Sequence, residues 1–155
     1  MNEENGIKKQ MMNELFKLRE KNAQFEKREA ESRQIEERLR ENEERFRRIF
    51  EDGPLGMIIA DANYRVLKAN KALCEMLGYT EAELTGRSIG EITHAEDVEK
   101  SMGLSNQLLH GKVPLFRLEN RYVTKNGETL WVNLTVTAIR GQDNEVLYAL
   151  GMIED

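Results

Sequence analysis

The stretch Glu119-Asn-Arg-Tyr-Val-Thr-Lys-Asn-Gly-Glu-Thr-Leu-Trp-Val132 contains the turn that decides the fold. The pair Asn126-Gly127 is a strong signal for a hairpin, because both residues readily adopt the positive φ angles that tight turns between strands require. Runs rich in β-branched and aromatic residues lie on either side of this pair, over residues 115–124 and 128–139. The sequence therefore predicts two antiparallel strands joined at residues 125–127.

Further strands and several short helices are predicted outward from this hairpin. The strands cover residues 56–60, 64–69 and 145–153. Helices are predicted over 71–77, 80–84 and 98–109, because each begins at a capping side chain and ends close to a glycine, and residues 89–93 favour one further turn. This order predicts an α+β domain with a five-stranded antiparallel sheet and short helices on one of its faces.

The N-terminal third of the chain has a different composition. Residues 1–50 contain 13 basic and 12 acidic residues, with no glycine between Gly6 and Gly53 and no proline before Pro54. A long polar stretch without helix-breaking residues favours one continuous helix. We predict a disordered or frayed tail over residues 1–10, a long helix over 11–52 and a folded domain over 53–155.

Apolar residues recur along this helix at alternating spacings of four and three, which is typical of a coiled-coil seam. Ten residues separate Phe25 from Ile35, so the seam changes phase between two segments. The pattern predicts a parallel dimeric stalk, and the alternative is a solvated helix that is only partly paired. The seam positions are Met11, Leu15, Leu18, Asn22, Phe25, Ile35, Leu39, Asn42, Phe46 and Ile49.

An ordered set of short motifs between Arg45 and Asp155 resembles the PAS domain family. The motifs are Gly53-Pro-Leu-Gly56, Ile59-Ala-Asp61, Asn70-Lys-Ala72, Leu77-Gly-Tyr79, Glu83-Leu-Thr-Gly86, His94-Ala-Glu-Asp97 and the hairpin from Glu119 to Val132. Two mild departures are the absence of a proline after His94 and an Asn-Gly turn where the family more often has Asp-Gly.

This resemblance implies a PAS fold and a sensory role without catalytic residues of its own. Such domains relay signals through flanking helices to output domains, for example those of histidine kinases or diguanylate cyclases. Asp155 falls where the family's linker to an output domain normally begins, so the resemblance implies a piece of a larger signalling protein.

Alternation along the strand of residues 128–139 separates an inward, aliphatic face from an outward one that carries Trp131. The inward residues are predicted to line either a small-ligand pocket or, as we favour, a filled core. Trp131 is predicted to be covered by the helix of residues 46–50 or by a partner, with Phe46, Ile49 and Phe50 linking helix and sheet. The predicted lining residues are Ile59, with Met57 or Ile58 beside it, and Leu73, Met76, Leu77, Ile89, Leu130, Val132, Leu134 and Val136.

Few residues suggest a cofactor or a metal. His94 is a weak candidate for a haem ligand, while His110 lies at a helix end where it complements the dipole. Flavin-binding relatives carry a reactive cysteine in a motif that this chain lacks, and Cys74 is predicted to pack in the core. No Cys or His residues have metal-ligand spacing, so we predict no metal site and neither haem nor flavin.

The net charge of −5 argues against a nucleic-acid partner, and no apolar run is long enough to span a membrane. A single cysteine, Cys74, is typical of a reducing compartment, so we expect a cytoplasmic protein. The favoured interpretation is a sensory module that forms a homodimer through its N-terminal helix and outer sheet face and controls an output domain. Its alternatives are a ligand-free dimerisation or spacer module, and a haem- or flavin-bearing gas or light sensor.

Overall fold

The computed structural model describes all 155 residues, which form five helices and five strands in two compact units, residues 1–46 and 47–155. The strands make one antiparallel sheet in the order β2-β1-β5-β4-β3, so the predicted fold class is confirmed. The elements are α1 (Asn2–Glu51), β1 (Gly56–Ala60), β2 (Val66–Ala69), α2 (Lys71–Leu77), α3 (Glu81–Leu84), α4 (Ile89–Ile92), α5 (Ala95–Leu109), β3 (Leu115–Val123), β4 (Thr129–Arg140) and β5 (Val146–Glu154).

Helix α1 begins at Asn2, so the predicted frayed tail over residues 1–10 is wrong. Glu3 and Glu4 lie in the first turn, where negative side chains interact favourably with the positive end of the helix dipole. The single Gly6 costs a helix only about 1 kcal/mol relative to alanine, which is too little to end it. The helix ends at Glu51, just before Gly53 and Pro54.

Local capping signals position the short helices. The side chain of Asn70 accepts from the Leu73 amide at the start of α2, and Gly78 ends that helix with a φ of 75°, a conformation that suits glycine. Thr80 and Glu83 form the predicted capping box of α3. Helix α5 begins earlier than predicted, because His94 rather than Asp97 caps it.

The core lies between the helices and one face of the sheet. Strands β3 and β4 pair from Leu115 opposite Thr137 to Val123 opposite Thr129, in the predicted hairpin. Val132, Leu134 and Val136 of β4 are buried in the core, as their alternation predicted. In the continuous apolar run of β1, however, Ile58 points inward and Ile59 lies half-buried on the other face, so the interior placement of Ile59 is wrong.

Two basic residues of the β3–β4 hairpin bind carboxylates of the helices. Arg121 on β3 holds Asp97 of α5 through both carboxylate oxygens, at 2.7 and 2.9 Å, and reaches Glu96 at 2.9 Å. Lys125, in the hairpin turn, contacts Glu83 of α3 at 2.6 Å. Hydrogen bonds from Arg121 hold the pKa of Asp97 below its ordinary value, and those from Lys125 and Thr80 lower the pKa of Glu83 to about 2.

Truncation of β4 side chains should report which face each residue occupies. Leu134→Ala removes a buried side chain and should lower the free energy of unfolding by about 2–5 kcal/mol. Thr135→Ala, the adjacent residue on the opposite face, should cost much less. Urea denaturation followed by the fluorescence of Trp131, the one tryptophan in the chain, measures both. Equal losses at the two positions would contradict the inward phase of the strand.

The Arg121–Asp97 contact should make the free energy of unfolding depend on pH in the acidic range. A lowered folded-state pKa means that the stabilisation is complete above the ordinary carboxylate pKa, near about 4, and is lost as the pH falls further. Asp97→Asn should therefore lower the urea midpoint most at pH 7 and progressively less in acid. Asp143→Asn, in an exposed turn, is the control for removing one negative charge. If Asp97→Asn lowers the urea midpoint by the same amount at pH 7 and at pH 2.5, this assignment is contradicted.

Candidate functional site

A small cavity lies inside the domain, between the sheet and α5. Its volume is about 40 Å³, and since one water needs roughly 10–15 Å³ by this measure, it has room for about three water-sized groups. The wall is mostly aliphatic, with hydroxyl-bearing side chains contributed by Tyr64, Ser101, Ser105 and Tyr122. The interior is therefore neither a large pocket nor a completely filled core.

The residues predicted to line the interior lie mostly in the core, but few of them border the cavity. Ile58, Ile89, Leu134 and Val136 contribute to its wall. Five others pack in the core away from the cavity. Ile59 lies on the outer face of the sheet. Those core residues are Leu73, Leu77 and Val132, which are buried, and Met76 and Leu130, which are half-buried.

Polar side chains on β3 also face the interior, and the sequence analysis missed them. Asn120 and Tyr122 are almost fully buried, at 0% and 1% exposed. Their placement follows from alternation, since the charged residues Arg117, Glu119 and Arg121 take the outward positions of the same strand. That alternation of charged and uncharged residues is the signal that would have placed them inside.

Neither the Nδ2 nor the Oδ1 atom of Asn120 meets a partner at good hydrogen-bond geometry, although the Tyr122 hydroxyl lies close enough to interact with the amide. Such poorly bonded buried groups are uncommon in folded proteins. Burial raises the pKa of Tyr122 well above its ordinary value, and a side-chain hydrogen bond with Asn120 acts in the opposite direction. The inner face of β3 therefore presents uncharged polar groups in an otherwise apolar interior.

A second buried asparagine, Asn70, has the opposite property, because its side chain uses its full hydrogen-bonding capacity. Its Nδ2 donates to the carbonyls of Phe50 and Leu55, both at 2.8 Å. Its Oδ1 accepts from the amides of Met57 at 2.8 Å and Leu73 at 3.0 Å. One side chain thus joins the end of α1, the following loop, β1 and the start of α2.

The three apolar residues predicted to link helix and sheet have different surroundings. Phe50 is buried, at 1% exposed, and the Lys68 ammonium lies 5.4 Å from the centre of its ring. Phe46 and Ile49 are exposed, at 48% and 62%. Phe50 is therefore part of the folded domain, while Phe46 and Ile49 offer apolar surface on α1.

The remaining apolar seam residues of α1 are exposed as well. Each has more than half of its surface accessible in the single chain. Exposed apolar residues on one stripe of a long charged helix are typical of a surface that pairs with another helix. These residues are Met11, Leu15, Leu18, Phe25, Ile35 and Leu39.

The outer face of the sheet also carries exposed apolar side chains. Trp131 is 58% exposed, and the Arg121 guanidinium lies 5.0 Å from its ring centre. A row of pairings runs across four strands through Ile59, Leu150, Thr137 and Leu115. The predicted cover over Trp131 is thus absent from the single chain, and this face is available to a partner.

The histidine and cysteine candidates have structural surroundings. His94 accepts a hydrogen bond at Nδ1 from the Glu96 amide at 3.3 Å, and it does not border the cavity. His110 bonds the Asn106 carbonyl at 2.8 Å at the end of α5. Cys74 packs against the core, and burial raises the pKa of its thiol. Neither histidine lines the cavity.

No helix of the protein combines the length and the apolar character that crossing a bilayer requires.

Comparisons with known proteins agree on the family. The family model described as PAS domain matches residues 54–155. A probable diguanylate cyclase, DgcE of Escherichia coli K12, is 34% identical over 117 residues, which are 76% of this chain and 11% of that protein. The sensor histidine kinase TmoS of Ectopseudomonas mendocina is 28% identical over 117 residues, 76% of this chain and 12% of the relative. The chain thus spans about a tenth of the length of these curated relatives.

Solved structures show the same fold. The PAS domain of an HTR-like protein from Haloarcula marismortui is 27% identical, with a TM-score of 0.64 over 79% of this chain and 98% of that one. A PAS domain from Colwellia psychrerythraea is 18% identical, with a TM-score of 0.67 over 72% of this chain and 94% of that one, and supports the fold alone. Together with the matched family model, these similarities establish that the chain belongs to the PAS domain family.

Proposed function

We propose that this chain is a sensory relay module that dimerises through α1 and passes changes in its PAS domain to an output domain outside this chain. The observation that carries the proposal is the buried Asn70 amide, which joins the last turn of α1 to β1 and α2. A displacement of the sheet or of α2 must either move the end of the helix or break these bonds. The relay needs neither haem nor flavin.

The exposed seam supports a second copy of this chain as the partner of α1. Residues at spacings of four and three would meet their counterparts in a parallel pair of helices. Asn22 and Asn42 at seam positions would favour two strands in one register. The exposed outer sheet face offers the pair a second apolar surface.

The phase change between Phe25 and Ile35 supports a stalk with two registers of similar energy. A difference of about 1.4 kcal/mol between two such states changes their ratio tenfold. A modest strain transmitted through Asn70 to the end of α1 would then be sufficient to shift the population.

The relatives support an enzymatic output domain elsewhere in a longer protein. DgcE is described as a probable diguanylate cyclase, and TmoS as a sensor histidine kinase. We propose that the output domain is an enzyme of one of these two types. The present module would control its activity and would not carry out the reaction itself.

The dimer should depend on the seam at the C-terminal end of α1. Phe46→Glu combined with Ile49→Glu places charges where two helices would meet, so the protein should become monomeric at micromolar concentration. Arg40→Glu with Arg47→Glu, away from the seam, is the matched control and should stay dimeric. Sedimentation equilibrium distinguishes the 18.0 kDa chain from its dimer. A monomeric wild type, or a dimeric seam variant, would disprove this interface.

Asn70→Asp should loosen the end of α1 selectively. Aspartate retains acceptors for Met57 and Leu73 and is an equally good helix cap, but it loses the donor to Phe50 and Leu55. Hydrogen exchange at the Asp52 amide, which donates to the Arg48 carbonyl at 2.9 Å, should become about fivefold faster, since one hydrogen bond contributes about 1 kcal/mol. The Leu73 amide should stay protected.

Asn70→Ala is the comparison variant, because it removes both the donors and the acceptors. It should expose the amides of Leu73 and Asp52 together. If Asp52 keeps its wild-type protection in Asn70→Asp, Asn70 does not transmit changes to α1, and the proposed route of the relay is wrong.

A further inference from the structure

Met12 and Phe16, near the start of α1, are apolar residues that lie outside the coiled-coil seam. They are 70% and 65% exposed. Since each residue of a helix turns by about 100°, they lie about 60° and 100° beyond the seam residue Leu15, on the same side. A two-stranded coiled coil buries a narrower stripe than this. Pairing of α1 with one other helix would therefore leave both side chains exposed to water.

The C-terminal half of α1 has no such second stripe. The positions equivalent to those of Met12 and Phe16, in the seam phase of Ile35 and Leu39, all carry charged residues. Charged residues there are typical of the solvent-facing side of a coiled coil. Pairing along the seam thus needs no apolar residue at these positions, so the two near the start of the helix indicate an additional contact. The equivalent positions are Glu36, Arg40, Glu43 and Arg47.

Ile7 widens the apolar face on the other side of the seam. It is 58% exposed and lies about 180° from Phe16 around the helix axis. A face that extends beyond the a and d positions is typical of a helix in a bundle core, where the helix contacts more than one neighbour. Lys8 also lies within this arc, and its aliphatic stem can cover apolar surface while its ammonium reaches water.

This wide apolar face is short. The next positions of its outer stripe toward either end of the helix are polar or small, namely Asn5, Lys9, Arg19 and Ala23. Residues 7–18 therefore offer the wide face for about three turns, which is roughly 18 Å of contact. A contact of that length suits helices that overlap near their ends, rather than four helices that pack along the whole stalk.

The stripe is complementary to a second copy of itself. In an antiparallel arrangement, Met12 of one copy meets Phe16 of the other, and a two-fold axis repeats the same contact. Contacts between a thioether sulfur and an aromatic ring are favourable. Opposed helix dipoles also favour the antiparallel direction. A second copy of this chain therefore has the surface that the stripe requires.

We propose that residues 7–18 form a second interface of α1, at which the N-terminal segments of two dimers meet in an antiparallel four-helix bundle. This inference rests on the proposed function, because it starts from the parallel dimer. The contact surface consists of Met12 and Phe16 together with Ile7. Since the overlap is shorter than the seam, the tetramer forms at higher protein concentration than the dimer does.

Sedimentation equilibrium of the full chain measures this assembly. The mass should rise from that of the dimer at micromolar concentration to four times the 18.0 kDa of the chain at submillimolar concentration. Met12→Glu combined with Phe16→Glu should stay dimeric throughout, because the contact would bury unpaired carboxylates. Gln10→Glu combined with Asn13→Glu, on the opposite side of the helix, adds the same charge and should still reach the tetramer.

Cysteine cross-linking measures the direction of the contact. Met12→Cys and Phe16→Cys are each made in a Cys74→Ala background, which removes the one natural cysteine. The two variants are mixed in equal amounts and oxidised at submillimolar concentration. Antiparallel segments should give mainly disulfides that join one variant to the other. A majority of disulfides between chains of the same variant would overturn the antiparallel bundle.

A wild type that remains dimeric at submillimolar concentration would overturn the proposal and leave the dimeric relay intact. Loss of the tetramer in the Gln10→Glu, Asn13→Glu control would overturn it as well, because the stripe would then have no specific role. A monomeric Met12→Glu, Phe16→Glu variant would show that the stripe belongs to the seam, which also overturns it. A wild type that is monomeric at micromolar concentration would disprove the dimer from which the proposal starts.

Discussion

The structure depends most on the saturated hydrogen bonding of one buried amide, that of Asn70. Its four bonds join segments that are up to 20 residues apart in sequence, and none of them competes with water because the side chain is fully buried. Removing such a hub would leave several backbone groups unpaired at once, which makes it far costlier than the loss of one surface bond. The last turn of α1 and the start of α2 are therefore held by the same side chain.

Asn120 is a second buried asparagine, and its hydrogen bonding differs from that of Asn70. Asn70 uses all of its own donors and acceptors and so holds the last turn of α1 to the start of α2. Asn120, equally buried, has no partner at good hydrogen-bond geometry. A fully satisfied polar network favours a unique structure, whereas a poorly satisfied buried group lowers stability.

On the surface of the molecule, charged pairs and exposed apolar side chains lie mostly in different places. Charged partners such as Arg121 with Asp97 hold the helices against the hairpin, and the same Arg121 also lies over Trp131. The apolar residues that remain exposed are concentrated on α1 and on the outer sheet face. The apolar residues that remain exposed are thus mostly separate from the charged pairs that hold the helices to the hairpin.

Much of the fold follows from local patterns in the sequence. Caps such as Thr80 with Glu83, the turn at Asn126-Gly127 and the alternation around Leu134 are decided by residues a few positions apart, so the sequence alone determined the elements and the PAS architecture. It did not determine which face Ile59 occupies, because consecutive apolar residues suit either side of a strand. Nor did it reveal the partners of Asn70 or the poor hydrogen-bond geometry of Asn120. Only the tertiary structure decided these, because a hydrogen bond between distant segments, or the absence of one, depends on which backbone groups folding brings within about 3 Å.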